Sequence, residues 1–201
     1  MGKVMAALYD WSMNNAEAAC LSAWRKELLQ RAEGDVLEIG AGTGGNIPYY
    51  PDRAKLVLTE PDVHMRQKLT KKFPQHETIN ADVENLPFGD GVFDVVVSTL
   101  VLCSVPDQSL ALHEIQRVLR PGGRLLFLEH VAAADNSSRK KWQRRIDPIW
   151  SRLAGGCRLT RNTEDAINRN GFEIVEVNHR SMRKALPWVR PTITGVARKT
   201  R

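Results

Sequence analysis

A chain of 201 residues with 42% hydrophobic side chains can bury a full core in one domain, which excludes a disordered polypeptide. No apolar run approaches the roughly 18 to 20 residues of a membrane helix, and the opening MGKVMAALYDWSMNN lacks a signal-peptide core. A cytoplasmic protein without an integral membrane segment is therefore expected. The net charge of +6 is uneven, with 13 basic and 17 acidic residues over 1–130 against 16 and 6 over 131–201. This basic third can attract nucleic acid, an acidic substrate or, by peripheral contact, an anionic membrane surface, and charge alone selects none of them.

In chain order, a helical stretch at 16–31 closes an amino-terminal cap spanning 1–34. Apolar, β-branched runs then recur at DVLEIG, KLVLTE, HETINA, FDVVVST and RLLFLEH, each bounded by Gly, Pro or acidic residues as buried strands are. Helical periods fall between them at 62–72 and 107–119, and Pro121-Gly122-Gly123 is expected to end the latter. This alternation predicts an α/β, Rossmann-like, doubly wound parallel sheet over a core at 35–130. Beyond it, SSRKKWQRRIDPIWSRLAGG reads as a basic amphipathic helix that Pro148 should bend or break. With a helix at 162–170 it forms a small helical lid over 131–170. The runs GFEIVEVNHR and RPTITGVARK then predict a final antiparallel strand pair within 171–201.

Cys20, Cys103 and Cys157 are widely spaced and match no zinc or CxxC pattern, so they read as reduced thiols and no metal is expected.

The chemistry is written at the strand ends. VLEIGAGTGGN places Gly40, Ala41, Gly42, Thr43, Gly44 and Asn46 directly after the first strand, where a glycine-rich turn lets backbone N–H groups approach a ligand. Gly40, Gly42 and Gly45 satisfy a dinucleotide-type GxGxxG, a weak pattern alone. Against a dinucleotide stand the prolines at 48 and 51, which shorten the following helix, and Glu38, which repels a pyrophosphate and welcomes an ammonium group. Glu60, before Pro61, ends the second strand where a carboxylate accepts from both ribose hydroxyls. Asp82 after the third strand suits an adenine amine, with Val83 for the ring face. Three carboxylates and no basic side chain within the loop describe a nucleoside with a cationic amino-acid end. The cofactor that fits is S-adenosylmethionine.

From VLEIGAGTG through TEP, ADVENLPF, FDVVVSTLVL and VLRPGGRLLFLE, the chain resembles class I S-adenosylmethionine-dependent methyltransferases over about residues 20–198. The resemblance implies a seven-stranded sheet with the last strand antiparallel, and carries cofactor contacts to Glu38, Gly40 to Gly44, Glu60, Asp82 and the segment Ser98, Thr99, Leu100 and Val101. A narrower similarity, in TLVLCSV, RVLRPGG, EHV, Trp142-Gln143, Pro148-x-Trp150 and Gly156-Cys157-x-Leu159-Thr160-Arg161, is to the animal alkyl thiol S-methyltransferases of the methyltransferase-like group and small bacterial relatives. The apolar amino-terminal anchor of the animal proteins does not carry over to residues 1–15. Related small enzymes also methylate lipid amines and quinone rings, so amine, hydroxyl and activated-carbon acceptors stand beside a thiol.

Methyl transfer is an in-line displacement, so the protein chiefly aligns the acceptor and excludes water. A thiol near pKa 8.5 is only a few per cent ionised at pH 7, so stabilising the thiolate gains at most roughly 30-fold, about 2 kcal/mol. His130, at the end of the fifth strand, is the catalytic candidate, able to deprotonate or orient an acceptor. Cys103, Trp142, Trp150 and Arg161 join it as candidate small-molecule contacts, with Trp188 as further apolar material. Cys157 reads as packing in its Gly-Gly-Cys turn. RNA binding or modification through the basic third stands as the alternative of a different class; against nucleic acid as the expected partner, Ser98-Thr99-Leu100-Val101 stands where an amino-methyltransferase carries an Asn/Asp-Pro-Pro-Tyr-type motif, and no RNA-binding module is recognisable.

Overall fold

The computed structural model describes residue 11 and residues 13–200; the start of the expected 1–34 cap lies outside them. A π-helical turn, Glu17–Leu21, leads into α1 (Ser22–Leu29). There follow β1 (Gly34–Ile39), β2 (Ala54–Thr59), α2 (Val63–Lys72), β3 (Thr78–Ile79), β4 (Phe93–Thr99), α3 (Gln108–Val118) and β5 (Leu119–His130). The chain continues through α4 (Ser138–Leu153), α5 (Thr163–Arg169), β6 (Phe172–Ser181) and β7 (Pro191–Lys199).

The strands form one seven-stranded sheet in the order β3-β2-β1-β4-β5-β7-β6, with β7 antiparallel to both neighbours and the other pairings parallel. Strand order reverses between β1 and β4, and the cleft at the carboxyl ends of these strands is where such sheets bind ligands. Period-two alternation sends Leu37, Val96, Leu125 and Phe127 into the core under α3 and α5, and Val36, Val95, Val97, Leu126 and Leu128 into the core under α1. Both faces are buried, which is why these strands read as unbroken apolar runs.

Four local expectations are corrected. The third strand shrinks from HETINA to Thr78–Ile79, because at the sheet edge it has β2 as its one partner. α3 ends at Val118 as Leu119 turns extended at ψ 137°, so Pro121-Gly122-Gly123 lies inside β5, beside a register shift against Phe93 and Val95. Glycines in a strand often mark such bulges. The first helical stretch carries a π turn rather than a uniform α-helix.

α4 runs through Pro148. Its packed face compensates for the lost backbone bond: Gln143 accepts from the Ala133 amide at 2.7 Å and donates to the Trp188 carbonyl at 2.8 Å, while Asp147 accepts from the Leu159 amide at 2.5 Å.

Candidate active site

The loop after β1 is shaped by what it must pass. Gly40, at φ +55°, has no room for a side chain, since a Cβ would lie 2.7 Å from Val101. The Ala41 amide then donates to the Thr59 carbonyl at 2.8 Å, pinning the loop across the end of β2.

Asn46 organises the floor. Its Nδ2 donates to Glu38 at 2.9 Å and to the Thr99 hydroxyl at 2.7 Å, and its Oδ1 accepts from Arg25 at 2.5 Å. Arg25 is buried and paired with Glu17 at 2.9 Å. The sequence reading missed Arg25 because it lies on α1, outside the glycine loop. Glu38 also accepts from the Tyr50 hydroxyl at 2.9 Å. Burial raises its carboxyl to about 7, against the opposing hydrogen bonds from Tyr50 and Asn46.

Glu60 accepts from the Gly42 amide at 2.7 Å on one oxygen and from the Asp62 amide at 2.8 Å on the other. Burial raises its pKa, and each oxygen retains further acceptor capacity. Gly42 has open space where a Cβ would stand. A buried diol acceptor beside an open glycine fits the ribose of S-adenosylmethionine, with Glu38 and Arg25 near the loop for the charged amino-acid end. Asp82 is exposed and Val83 buried after β3, and Pro61 lies exposed before α2. Leu100 takes a left-handed φ of 60° and its amide donates to the Leu128 carbonyl. Such strain clusters where loops meet ligands.

Ser98 is fully buried, and its hydroxyl donates to Glu129 at 2.6 Å. Glu129, which the sequence reading passed over, also accepts from the amides of Val101, Leu102 and Cys103 at 3.1, 3.2 and 3.2 Å. One buried carboxylate thus holds the whole β4 exit loop, with its pKa raised by burial.

At that exit three separate sequence features converge. Cys103, His130 and Cys157 bring a thiol, an imidazole nitrogen and a second thiol within 4.8 Å of one another. His130 Nδ1 lies 3.8 Å from Cys157 Sγ, and Nε2 lies 3.4 Å from the Trp188 carbonyl. A carbonyl only accepts, so Nε2 carries a proton and Nδ1 is the nitrogen that faces the sulfurs. Cys103 and then the facing His130 hold Cys157 down to about 5 against burial, while Cys103 is pushed well above the usual thiol range. Gly156, at φ +92°, lets the Cys157 turn lie on the β4 loop, since a Cβ there would meet the Ser104 carbonyl at 2.6 Å. The Arg158 amide then donates to the Cys103 carbonyl at 2.8 Å.

Trp150 stacks edge-on against Trp188 at 6.2 Å, and Trp188 Nε1 is buried with no hydrogen-bond partner. Two other candidates have surroundings of their own. Trp142 is 59% exposed on the outer face of α4, under Arg145, because it sits one position before the buried Gln143. Arg161 donates to the carbonyls of Leu102 at 2.7 Å and Val105 at 2.5 Å, so its guanidinium ties the lid to the β4 loop. Cys157, read from sequence as packing, belongs to the cluster.

The sheet order, the glycine loop and the buried carboxylate at the end of β2 define an S-adenosylmethionine-dependent methyltransferase, and the methyltransferase domain family matches residues 37–127. Human thiol S-methyltransferase TMT1A is 39% identical over 173 residues, covering 82% of this chain and 70% of that protein. Human thiol S-methyltransferase TMT1B is 40% identical over 182 residues, covering 85% and 74%. The chain belongs to the methyltransferase family that contains these two proteins. A solved S-adenosylmethionine-dependent methyltransferase from Thermotoga maritima shares the fold at a TM-score of 0.71 and 21% identity, covering 99% of this chain and 97% of that one. Among the described residues no helix is long and apolar enough to cross a membrane.

Proposed function

We propose that the methyl acceptor is a small, apolar thiol, bound where β4 and β5 end. The observation that carries this reading is the Cys103–His130–Cys157 cluster beneath Trp150 and Trp188. The human relatives named as thiol S-methyltransferases agree with it.

When bound, S-adenosylmethionine supplies an electrophilic sulfonium methyl. The chain's own residues do the rest. Glu60 and the Gly42 loop hold the nucleoside, with Asp82 and Val83 at the base, and Glu38 faces the amino group. The Glu129 strap fixes the β4 loop so that Cys103 keeps its place opposite His130. The acceptor sulfur loses its proton against this cluster, where His130 is the group proposed to stabilise the thiolate. The tryptophans and the Arg161-tied lid exclude water, which favours a soft, weakly hydrated nucleophile.

The test is release of S-adenosylhomocysteine with matched panels of small thiols, amines and phenols. Turnover confined to thiols supports the reading; turnover with amines or phenols alone overturns it.

The outer face of α4 supports a peripheral contact. Trp142, Ile149 and Leu153 are 59%, 64% and 61% exposed at seven- and eleven-residue offsets, so they form one stripe. Arg139, Lys141, Arg145 and Arg152 flank it, an arrangement suited to lying in an anionic lipid surface, from which apolar thiols would be taken.

A further inference from the structure

We infer that Cys103, His130 and Cys157 form a binding site for one soft divalent cation, zinc by donor chemistry, with a fourth position open to the acceptor thiol. The proposed role of the cation rests on the thiol reading; the site itself rests on geometry.

Zinc–sulfur bonds of about 2.3 Å and zinc–nitrogen bonds of about 2.0 to 2.1 Å place tetrahedral ligands roughly 3.5 to 3.8 Å apart. Cys157 Sγ and His130 Nδ1 are already 3.8 Å apart, and the three ligand atoms all lie within 4.8 Å. Two thiols and an imidazole are donors that select zinc over calcium or magnesium. Two thiolates and a neutral imidazole also balance a divalent charge, as a buried site requires. Cys103 and His130 are each 2% exposed.

The supporting contacts are those of a built ligand set. His130 directs Nε2–H to the Trp188 carbonyl, the outer bond that leaves Nδ1 free to ligate. Cys103 is held on both sides, its amide on Glu129 at 3.2 Å and its carbonyl accepting from Arg158 at 2.8 Å. The Cys157 amide donates to the Ala154 carbonyl at 3.1 Å. Spacing conceals the site because its ligands come from the β4 loop, the end of β5 and the turn after α4. No pair lies within one local motif.

Three protein ligands with an open position are the mark of a catalytic rather than a structural zinc. An acceptor thiol entering that position releases its proton to water as it becomes a metal-held thiolate. Its sulfur then forms the new S–C bond while the sulfonium C–S bond breaks, and that electron pair stays on the departing sulfur. The neutral thioether product is a weaker ligand and leaves. On this account His130 acts as a ligand.

The reduced, chelator-treated full chain should be titrated with cobalt(II), then with zinc. We expect one equivalent of cobalt, with the visible absorption of a tetrahedral site and sulfur-to-cobalt charge transfer, displaced by zinc. Cys103→Ser and Cys157→Ser should each weaken binding at least tenfold, and His130→Ala similarly, while Cys20→Ser leaves it intact. Cofactor affinity serves as the check that each variant is folded. Adding ethanethiol should perturb the charge-transfer band in the wild type. Absence of stoichiometric uptake by the reduced wild type, or uptake that survives the double cysteine substitution, overturns the site. Full thiol turnover by metal-free protein overturns its catalytic role while leaving the thiol reading intact. Tight cobalt binding with turnover on amines alone overturns the thiol reading and the role while the site stands.

Discussion

His130 Nδ1 faces Cys157 Sγ at 3.8 Å across a sequence separation of 27 residues, and the lid that carries Cys157 is tied to the β4 loop by Arg158 and Arg161. The contact is therefore made only when β5, the lid and the β4 loop are all in place. His130→Ala should lower thiol turnover by up to about 30-fold at pH 7 with cofactor affinity unchanged. The deficit should shrink as pH rises past about 8.5, where a free thiol ionises unaided. Rate profiles from pH 6 to 9 check this, and a pH-independent deficit would assign His130 to packing.

Glu60 supplies two oxygens that each already hold one backbone amide. Glu60→Ala should weaken cofactor binding by about 2 to 3 kcal/mol, or roughly 30- to 150-fold, as charge-assisted hydrogen bonds are lost. Calorimetric titration measures it; wild-type affinity would remove Glu60 from the ribose.

Glu38 gives a pH signature. Its folded pKa of about 7 stands above the ordinary 4.5, so the unliganded fold gains most from this group below pH 4.5 and loses that contribution as pH rises to 7. The loss is on the order of 3 kcal/mol. Cofactor affinity should move oppositely, strengthening up to about tenfold per pH unit toward 7 as an ionised Glu38 becomes available to the ammonium group. Thermal melts and titrations of wild type and Glu38→Gln separate the effects, since the variant should lose both slopes.

Glu129 is the single acceptor for Ser98 and three loop amides. Glu129→Ala should destabilise the fold by about 3 kcal/mol or more, because it leaves buried donors unpaired. Ser98→Ala should cost about 1 kcal/mol, and denaturant melts distinguish the two. Equal, small losses would show that the β4 loop holds its own shape.

The stripe on α4 predicts binding to vesicles containing phosphatidylserine but not to phosphatidylcholine alone, weakened by salt. Trp142→Glu combined with Ile149→Glu should abolish cosedimentation while leaving turnover of a water-soluble thiol intact. Binding that the double variant retains would reduce the effect to charge alone.

Sequence by itself determined the elements whose signals are local. Apolar alternation in DVLEIG, FDVVVST and RLLFLEH specifies buried strands, and glycines at 40, 42 and 44 with carboxylates at 38 and 60 specify the cofactor class. Tertiary structure decided whatever depends on partners distant in the chain. It placed Arg25 under Asn46, turned Ser98 to Glu129, carried α4 through Pro148, sent Trp142 outward and assembled Cys103, His130 and Cys157. The physical reason is that periodicity and turn chemistry act over a few residues. A side chain's partner, by contrast, is set by which strands the sheet order makes neighbours and by how the lid folds back over their ends.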